Sequence, residues 1–214
     1  MYIGRIICVA QTSDERLCAV YRVSSRSFPN RTAVVEKEKV RIVPKPGHED
    51  DVAKNPYIAY NCVRVICDGE VAVVSNGSHT DPIAEKIALG MGARDALTLS
   101  LMAMDYEKDD YNTPRIAAVA DKVDGATWLA IVREDGLEVR RIPLAPGHFA
   151  YVATYEENAI LPRFSGHWTA NTAEEACRFI LGGGVFAERK HPVAAVAAVA
   201  VDEGFALAAM DVTE

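Results

Sequence analysis

Cysteine and long apolar runs are scarce in this sequence, and each scarcity argues against a class of protein. The five cysteines are odd in number and lack paired spacing, which argues against a disulfide framework and against a Cys-x-x-Cys zinc site. The longest apolar run, residues 193–201, is far shorter than the roughly 20 residues of a membrane-spanning helix. The first residues do not resemble a signal peptide, so the predicted location is the cytoplasm.

Positive charge is also in short supply, since the formal net charge is -7 at pH 7. An acidic surface repels nucleic acids and anionic membranes on average. A local basic cluster can still bind a small anion. The predicted partner is therefore a small molecule, with neither nucleic acid nor membrane, and the composition leaves the oligomeric state open, a homo-oligomer included.

Strand patterns dominate the first third of the chain and return after a helical block. Runs of β-branched residues bounded by turn residues predict strands at residues 3–10, 17–24, 32–36, 40–43, 58–68, 70–75, 115–120, 127–132, 138–142 and 149–154. Between them, helical spacing predicts one helix that starts with Asp81 as N-cap and Pro82 at its first position, and a second helix over residues 93–104.

A later helix has a clearer start and end. Thr172 and Glu175 have the spacing of a capping box, and the glycines at 182–184 can stop the helix near residue 181. Strands at 193–201 and 205–210 follow, and because both are rich in Ala and Val on both faces they are predicted to be buried central strands. Strand runs separated by few helices predict a single α+β domain over residues 1–214.

Three arginines within ten residues form the first candidate site. Arg22, Arg26 and Arg31 alternate with serines and Asn30 after the second predicted strand. The guanidinium fork matches a phosphate, and serine and asparagine add further donors. The alternative is a solvated strand end that carries ordinary surface arginines.

Tyr60 and Asn61 form the second candidate, because both interrupt an apolar strand. Buried polar side chains need hydrogen-bond partners, so these two either serve the core or line a site. Cys62 follows them and would be a nucleophile only with a neighbouring base, which the sequence does not reveal. The alternative for Cys62 is a small buried apolar residue.

Two polar segments complete the set of candidates. Residues 75–81 lead from a strand into a helix, where backbone N–H groups can bind an anion and His79 could transfer a proton. Turn and cap chemistry explains the same residues without a function. Residues 105–115 mix acids, tyrosines and an arginine, as a site for proton transfer requires, although a solvated loop is the alternative.

The stretch at residues 21–31, Tyr-Arg-Val-Ser-Ser-Arg-Ser-Phe-Pro-Asn-Arg, resembles the signature of the archaeal-type IMP cyclohydrolases. Residues 1–5, 55–62, 75–79 and 105–115 resemble the same family, so the likeness spans nearly the whole chain. It implies closure of the second purine ring: a formamidoimidazole-carboxamide ribonucleotide loses water to give inosine monophosphate. It also implies a four-layer αββα sandwich like that of N-terminal nucleophile hydrolases.

Ring closure requires an anion clamp, a base, an oxyanion donor and an acid, and we hypothesise roles for individual residues from that chemistry. The catalytic residues would be Glu107, Tyr60 and Asn61, with Glu107 transferring a proton, Tyr60 protonating the leaving oxygen, and Asn61 or Asn76 stabilising an oxyanion. The substrate-binding residues would be Arg22, Arg26, Arg31, Asn30, Asn76, Ser78 and Arg115. No metal or organic cofactor is expected. Met1 and Tyr2 offer no processed N-terminal nucleophile, and Cys8 lies inside the first predicted strand.

Two other functions are compatible with the sequence. One is an amide hydrolase on the same fold with Cys62 as nucleophile, which thiol-blocking reagents would inactivate. The other is a non-catalytic protein that binds a purine nucleotide, which would bind inosine monophosphate without accelerating ring closure.

Overall fold

A computed structural model describes residues 1–212, and within that range thirteen strands form two antiparallel sheets. The first sheet contains β1 (Ile6–Gln11), β2 (Leu17–Ser24), β10 (His148–Ala153), β11 (Ser165–His167), β12 (Pro192–Ala200) and β13 (Phe205–Asp211). The second contains β3 (Arg31–Val35), β4 (Lys39–Pro44), β5 (Tyr60–Ile66), β6 (Val71–Ser75), β7 (Arg115–Asp121), β8 (Ala126–Arg133) and β9 (Gly136–Arg141).

Strand order places β1 and β2 in the middle of the first sheet, with the order β11-β10-β1-β2-β12-β13. The second sheet keeps the chain order from β3 to β9, because each strand pairs with the next through a short connection or after the helical block. The two sheets face each other across a shared apolar core to which both contribute, including Tyr21 and Val23 from one and Tyr60 and Cys62 from the other.

The α-helices within residues 1–212 are α1 (Asp51–Lys54), α2 (Thr80–Ala88), α3 (Ala93–Met104) and α4 (Ala173–Gly182). The last three cover the outer faces of the sheets, whereas α1 has no buried residue. Helix α4 packs on β2, β12 and β13, while α2 and α3 pack on the second sheet. None of the helices in residues 1–212 is long and apolar enough to cross a membrane.

This arrangement confirms the prediction of a mixed fold with many strands and few helices. The likeness to N-terminal nucleophile hydrolases remains a prediction, as does the single domain over residues 1–214, whose last two residues lie outside the described range. Strand β11 and the short helix α1 have no counterpart among the predicted elements.

Local signals differ in how well they predicted the element ends. The capping box is confirmed, since the Thr172 hydroxyl accepts from the Glu175 N–H at 3.2 Å and the Glu175 carboxylate accepts from the Thr172 N–H. Helix α4 ends at Gly182, and Gly184 takes the left-handed conformation with φ +49°. The predicted Asp81 cap is wrong, because α2 begins at Thr80 and Asp81 already lies in its first turn.

The last two strands also differ from the prediction. β12 is buried along almost its whole length between β2 and β13, as expected of a central strand. β13 is an edge strand and is largely half-buried, so the prediction of a second central strand is wrong. One face of β13 packs against α4 and the other against the edge of the inter-sheet core, but most of its residues stay half-buried because no strand within residues 1–212 covers its outer edge.

Candidate functional site

A cleft of about 330 Å³ opens where loops from both sheets meet. Five segments line it: the residues before β1, the β2–β3 loop, the turn before β5, the loop between α3 and β7, and the residues after β10. Its positive side chains are Arg5, Arg26, Arg31 and Lys54. Its tyrosines are Tyr2, Tyr57, Tyr111 and Tyr155, and its acids are Glu107, Asp109 and Asp110. Basic groups and flat rings in one cavity suit a ligand that carries an anion and a planar ring.

Glu107 and Arg5 form a buried ion pair in this cleft. Glu107 is 1% exposed, and its Oε2 and Oε1 atoms accept from Nη2 and Nη1 of Arg5 at 2.9 and 3.3 Å. Burial disfavours the charged Arg5, but the charge of Glu107, the nearby Tyr21 and Tyr60 and the hydrogen bond to Glu107 together raise the pKa of Arg5 well above its ordinary value. The pair therefore brings a fixed positive and a fixed negative charge into contact with the ligand space.

Gly4 allows Arg5 to take this position. Its φ is +79°, and a Cβ at this residue would collide with the Thr154 hydroxyl and approach the Tyr155 ring within 2.6 Å. The backbone N–H of Arg5 donates to the same Thr154 hydroxyl at 3.0 Å. A glycine is required here because the chain passes so close to the residues after β10.

Arg115 lies next to Glu107 but is not among the residues that line the cleft. Its Nη1 lies 3.7 Å from Oε1 of Glu107, its Nε donates to the Asp105 carbonyl at 2.8 Å, and its guanidinium packs over the Tyr57 ring at 5.5 Å. Arg115 is 4% exposed, and burial lowers its pKa although Glu107 opposes that effect. Arg115 therefore contacts cleft residues without lining the cleft itself.

Arg26 and Arg31 both reach the cleft, as the sequence pattern suggested. Arg26 is exposed, and its guanidinium lies 4.6 Å from the centre of the Tyr2 ring and 6.0 Å from that of Tyr111. Arg31 is buried, and its Nε donates to the Phe28 carbonyl at 3.0 Å. That bond fixes the Arg31 side chain and leaves its two terminal amino groups for another acceptor.

Arg22 does not reach the cleft, although it belongs to the same sequence cluster. Successive side chains of a strand point to opposite faces, so Tyr21 and Val23 face the other sheet while Arg22 faces α4. Its guanidinium donates to the carbonyls of Ile180, Leu181, Phe186, Arg189 and Lys190 and to the Ser24 hydroxyl. Burial and then Arg189 lower its pKa to about 10. These bonds hold the end of α4 and the segment after it.

Asn61 is separated from the cleft by the same alternation. Tyr60 and Cys62 face the inter-sheet core, whereas the Asn61 amide donates to both carboxylate oxygens of Asp81 at 2.9 and 3.0 Å. Arg64 donates to the same carboxylate at 2.8 Å. Asn61 therefore lies on the α2 side of the second sheet.

Asn76, Ser78 and Asn30 are also outside the set of lining residues. The Asn76 side chain binds the backbone of β7, donating to the Pro114 carbonyl and accepting from the Ile116 N–H, while its own carbonyl accepts from Arg5 at 3.3 Å. Ser78 is exposed, and Asn30 is half-buried beside Arg31. Asn76 thus contacts the cleft through Arg5 alone.

Tyr60 is not among the residues that line the cleft, but the charges of Arg31 and Arg5, which do line it, both act on the pKa of Tyr60. Its hydroxyl is 2.6 Å from that of Tyr21 on the opposite sheet. Burial raises the pKa of Tyr60, and Arg31 and Arg5 partly offset that effect. The structure therefore brings Tyr60 together with Arg31, while Glu107 is linked to the same region through Arg5.

Cys62 and His79 are both fully buried. The Cys62 thiol donates to the Val40 carbonyl, and burial raises its pKa well above the ordinary range. His79 Nε2 lies 2.9 Å from the Ile116 carbonyl, and burial followed by the charge of Arg115 lowers the pKa of His79 to about 3. Neither side chain lines the cleft.

The sequence signals missed several cleft residues. Tyr155 belongs to none of the candidate motifs, yet its hydroxyl lies 2.7 Å from that of Thr113, which donates to Asp109 at 2.7 Å. Arg5 occurs in the opening motif, but nothing in the sequence links it to Glu107. Only a contact between residues 102 positions apart reveals its role.

The family model and the similar proteins found by comparison both indicate one family. A family model described as IMP cyclohydrolase-like protein matches residues 2–204. A protein named IMP cyclohydrolase from Methanosphaera stadtmanae is 52% identical over 203 residues, which cover 95% of this chain and 96% of that protein. Proteins of the same name from Methanococcus maripaludis strain S2 and Methanocaldococcus jannaschii are 46% and 44% identical, over 97% of this chain and 99% and 98% of theirs. The chain belongs to the IMP cyclohydrolase-like family.

Proposed function

We propose that this protein is an IMP cyclohydrolase, which closes the second ring of 5-formamidoimidazole-4-carboxamide ribonucleotide to give inosine monophosphate. The substrate is a small purine nucleotide precursor, and the reaction is the last step of purine synthesis. The observation that carries the proposal is the buried Arg5–Glu107 pair in a cleft that also holds Arg26 and Arg31. Full-length relatives that carry the name IMP cyclohydrolase support the same reaction.

The chemistry defines what the site must supply. One carbon–nitrogen bond forms between the carboxamide nitrogen and the formyl carbon, and that nitrogen loses a proton. The formyl oxygen takes up two protons in all and leaves as water, while the former formamide nitrogen loses its hydrogen and gains the ring double bond. Electron count does not change, so the reaction balances without an oxidant or a reductant.

Arg26 and Arg31 are assigned to the anionic parts of the substrate. Arg31 is fixed through Nε and presents its terminal amino groups, and Arg26 is held against the Tyr2 ring. Both guanidiniums suit a phosphate or a carbonyl oxygen of the base. Holding the two reacting groups together is a large contribution for an intramolecular closure, because it fixes the near-attack geometry.

Glu107 is assigned to accept the proton of the attacking nitrogen. Its carboxylate lines the cleft, and Arg5 holds it in a fixed direction through two hydrogen bonds. Tyr60 is assigned to protonate the departing oxygen, because the charges of Arg31 and Arg5, which line the cleft, favour its phenolate. A positioned acid or base typically contributes about 10²–10⁴-fold to the rate.

The remaining predicted residues are assigned to positioning. Arg22 stabilises the end of α4, Asn61 holds Asp81, and Asn76 supports Arg5 and β7. Arg115 restrains Glu107 from behind. Neither Asn61 nor Asn76 supplies the oxyanion contact in this account, and Arg31 is the donor that takes that role.

The structure offers no support for the amide-hydrolase alternative. Cys62 is buried in the inter-sheet core, and burial raises the pKa of its thiol, whereas a nucleophilic cysteine requires an accessible thiolate. We also infer that the two packed sheets and their outer helices belong to the fold of N-terminal nucleophile hydrolases.

An ultraviolet assay of ring closure tests the proposal. The purified protein is mixed with the formylated precursor, and formation of inosine monophosphate is compared with the slow spontaneous reaction. Acceleration of closure supports the enzyme. Tight binding of inosine monophosphate without any acceleration would support a non-catalytic nucleotide-binding protein and would overturn the proposal.

A further inference from the structure

Two buried tyrosines meet across the interface between the sheets. Tyr21 comes from β2 and Tyr60 from the first position of β5, and both belong to the shared core. Their hydroxyl oxygens are 2.6 Å apart, which is the distance of a strong O–H···O hydrogen bond. Tyr21 is fully buried, whereas Tyr60 retains 8% of its surface exposed.

Hydrogen-bond accounting decides which hydroxyl donates. Within residues 1–212, the Tyr60 hydroxyl is the only hydrogen-bond partner found for the hydroxyl of Tyr21. If Tyr60 were the donor, the Tyr21 hydrogen would be buried without an acceptor, which costs about 1–3 kcal/mol. Tyr21 is likewise the only partner found for the Tyr60 hydroxyl in these residues, but Tyr60 keeps 8% of its surface exposed, so its hydrogen can reach water or a ligand. We therefore assign Tyr21 as the donor, which leaves the hydrogen of Tyr60 available to another acceptor.

Tyr60 does not line the cleft itself, but residues close to it do. Tyr57 and Ile58, just before Tyr60 in the chain, both line the cavity. Arg5 and Arg31 also line it, and the charges of both guanidiniums favour the deprotonated form of Tyr60. The hydrogen bond from Tyr21 has the same effect on the pKa of Tyr60, because it stabilises a negative oxygen.

We propose that Tyr21 is a positioning residue for ring closure: by donating to the Tyr60 hydroxyl, it directs the Tyr60 proton toward the departing oxygen of the substrate and stabilises the phenolate that remains. The inference rests on the proposed function and adds a residue that does not touch the substrate. In the step concerned, the Tyr60 O–H bond breaks and the proton moves to the departing oxygen. Tyr60 is restored by one of the two protons that the substrate nitrogens release, so no net proton is consumed.

Tyr21→Phe tests this role while keeping the ring in the core. A hydrogen bond to a charged group is worth enough that its loss should lower kcat by about tenfold or more. KM should stay within about twofold, because Tyr21 does not contact the substrate. Tyr151→Phe is the matched control, since it also removes a buried hydroxyl bond, to Glu157 at 2.7 Å, and Tyr151 is not among the residues that line the cleft.

A double-mutant cycle separates positioning from a general loss of structure. Tyr60→Phe should lower kcat on its own, and adding Tyr21→Phe should then change kcat by less than about twofold, because the group through which Tyr21 acts is gone. Rates are expressed per folded molecule, with the folded fraction measured by near-ultraviolet circular dichroism. An equal loss of kcat from Tyr21→Phe in both backgrounds would overturn the inference.

The same data distinguish two kinds of failure. If wild-type protein does not accelerate ring closure, the proposed function has failed. If the wild type is active and Tyr21→Phe matches it or the Tyr151→Phe control in kcat, the function stands and the role of Tyr21 is wrong.

Discussion

Arg5 and Glu107 are joined by two hydrogen bonds, at 2.9 and 3.3 Å, although 101 residues of the chain separate them. Arg5 precedes the central strand β1 of the first sheet, and Glu107 lies in the loop before β7 of the second sheet. The pair therefore exists only when the two sheets are packed together. Formation of the site is coupled to packing of the core, so disturbing this contact should affect activity and stability together.

Gly4→Ala should separate Arg5 from Glu107. The residue has φ +79°, and a methyl group would crowd Thr154 and the Tyr155 ring, so the backbone before Arg5 must shift. We expect kcat/KM to fall by about tenfold or more, since small displacements of catalytic groups are costly, with a lower melting temperature. The measurements are the cyclisation assay and thermal unfolding.

Gly47→Ala is the matched control for that change. Gly47 has a similar φ of +85°, but a Cβ there meets nothing within 4 Å. It should show only the backbone cost of about 1–2 kcal/mol and unchanged turnover per folded molecule. Equal activity losses in the two variants would contradict a specific role for the space beside Arg5.

Arg31→Lys should weaken substrate binding, whereas Arg22→Lys should weaken the stability of the fold. Lysine keeps the charge but loses the guanidinium fork. At residue 31 the change should raise KM by about tenfold, because Arg31 lines the cleft. At residue 22 it should lower the free energy of unfolding by about 2–4 kcal/mol and leave KM unchanged, because the lost donors served backbone carbonyls near α4. Steady-state kinetics and urea unfolding separate the two, and a raised KM with unchanged stability for Arg22→Lys would contradict this division of roles.

His79 should make stability depend on pH in the acid range. Burial and the charge of Arg115 lower the pKa of His79 to about 3 in the folded protein, while an unfolded histidine has a pKa near 6.5. Because the unfolded chain binds the extra proton first, the contribution of His79 is complete above about pH 6.5. It is lost progressively as the pH falls toward about 3, and amounts to a few kcal/mol.

Urea unfolding between pH 7 and pH 4 measures this dependence in the wild type and in His79→Gln. The glutamine variant should be less stable at pH 7 but should lose less stability on acidification, because it has no imidazole to protonate. Parallel stability–pH curves for the two proteins would show that His79 titrates normally in the fold.

Strand alternation explains how far the sequence could predict this site. The pattern located the strands well, but Arg22 and Tyr21 adjoin in sequence and face opposite sides of β2, so a cluster of arginines did not become one surface. The same alternation directs Tyr60 into the inter-sheet core and Asn61 toward Asp81 of α2. A pattern of residues predicts which strand a side chain belongs to. Which layer that side chain contacts depends on how the sheets and helices pack around the strand.

Contacts between segments that are distant in the chain could not be predicted, because no local sequence motif marks them. Tyr155 follows β10 and reaches Thr113 before β7, and no local motif marks that meeting. Asp81 has the residue type and neighbour of a helix cap, but Asn61 and Arg64 bind its carboxylate, and α2 starts at Thr80, two residues earlier than predicted. In each case a tertiary partner, absent from the local sequence, decided the outcome.

The turnover of Glu107→Gln in the ultraviolet cyclisation assay tests most directly whether ring closure takes place at the Arg5–Glu107 pair. Glutamine keeps the shape of the side chain and removes the base, so kcat per folded molecule should fall by about 10²–10⁴-fold. Glu85→Gln, on the exposed side of α2, should retain wild-type kcat. A folded Glu107→Gln protein with wild-type kcat would contradict the account.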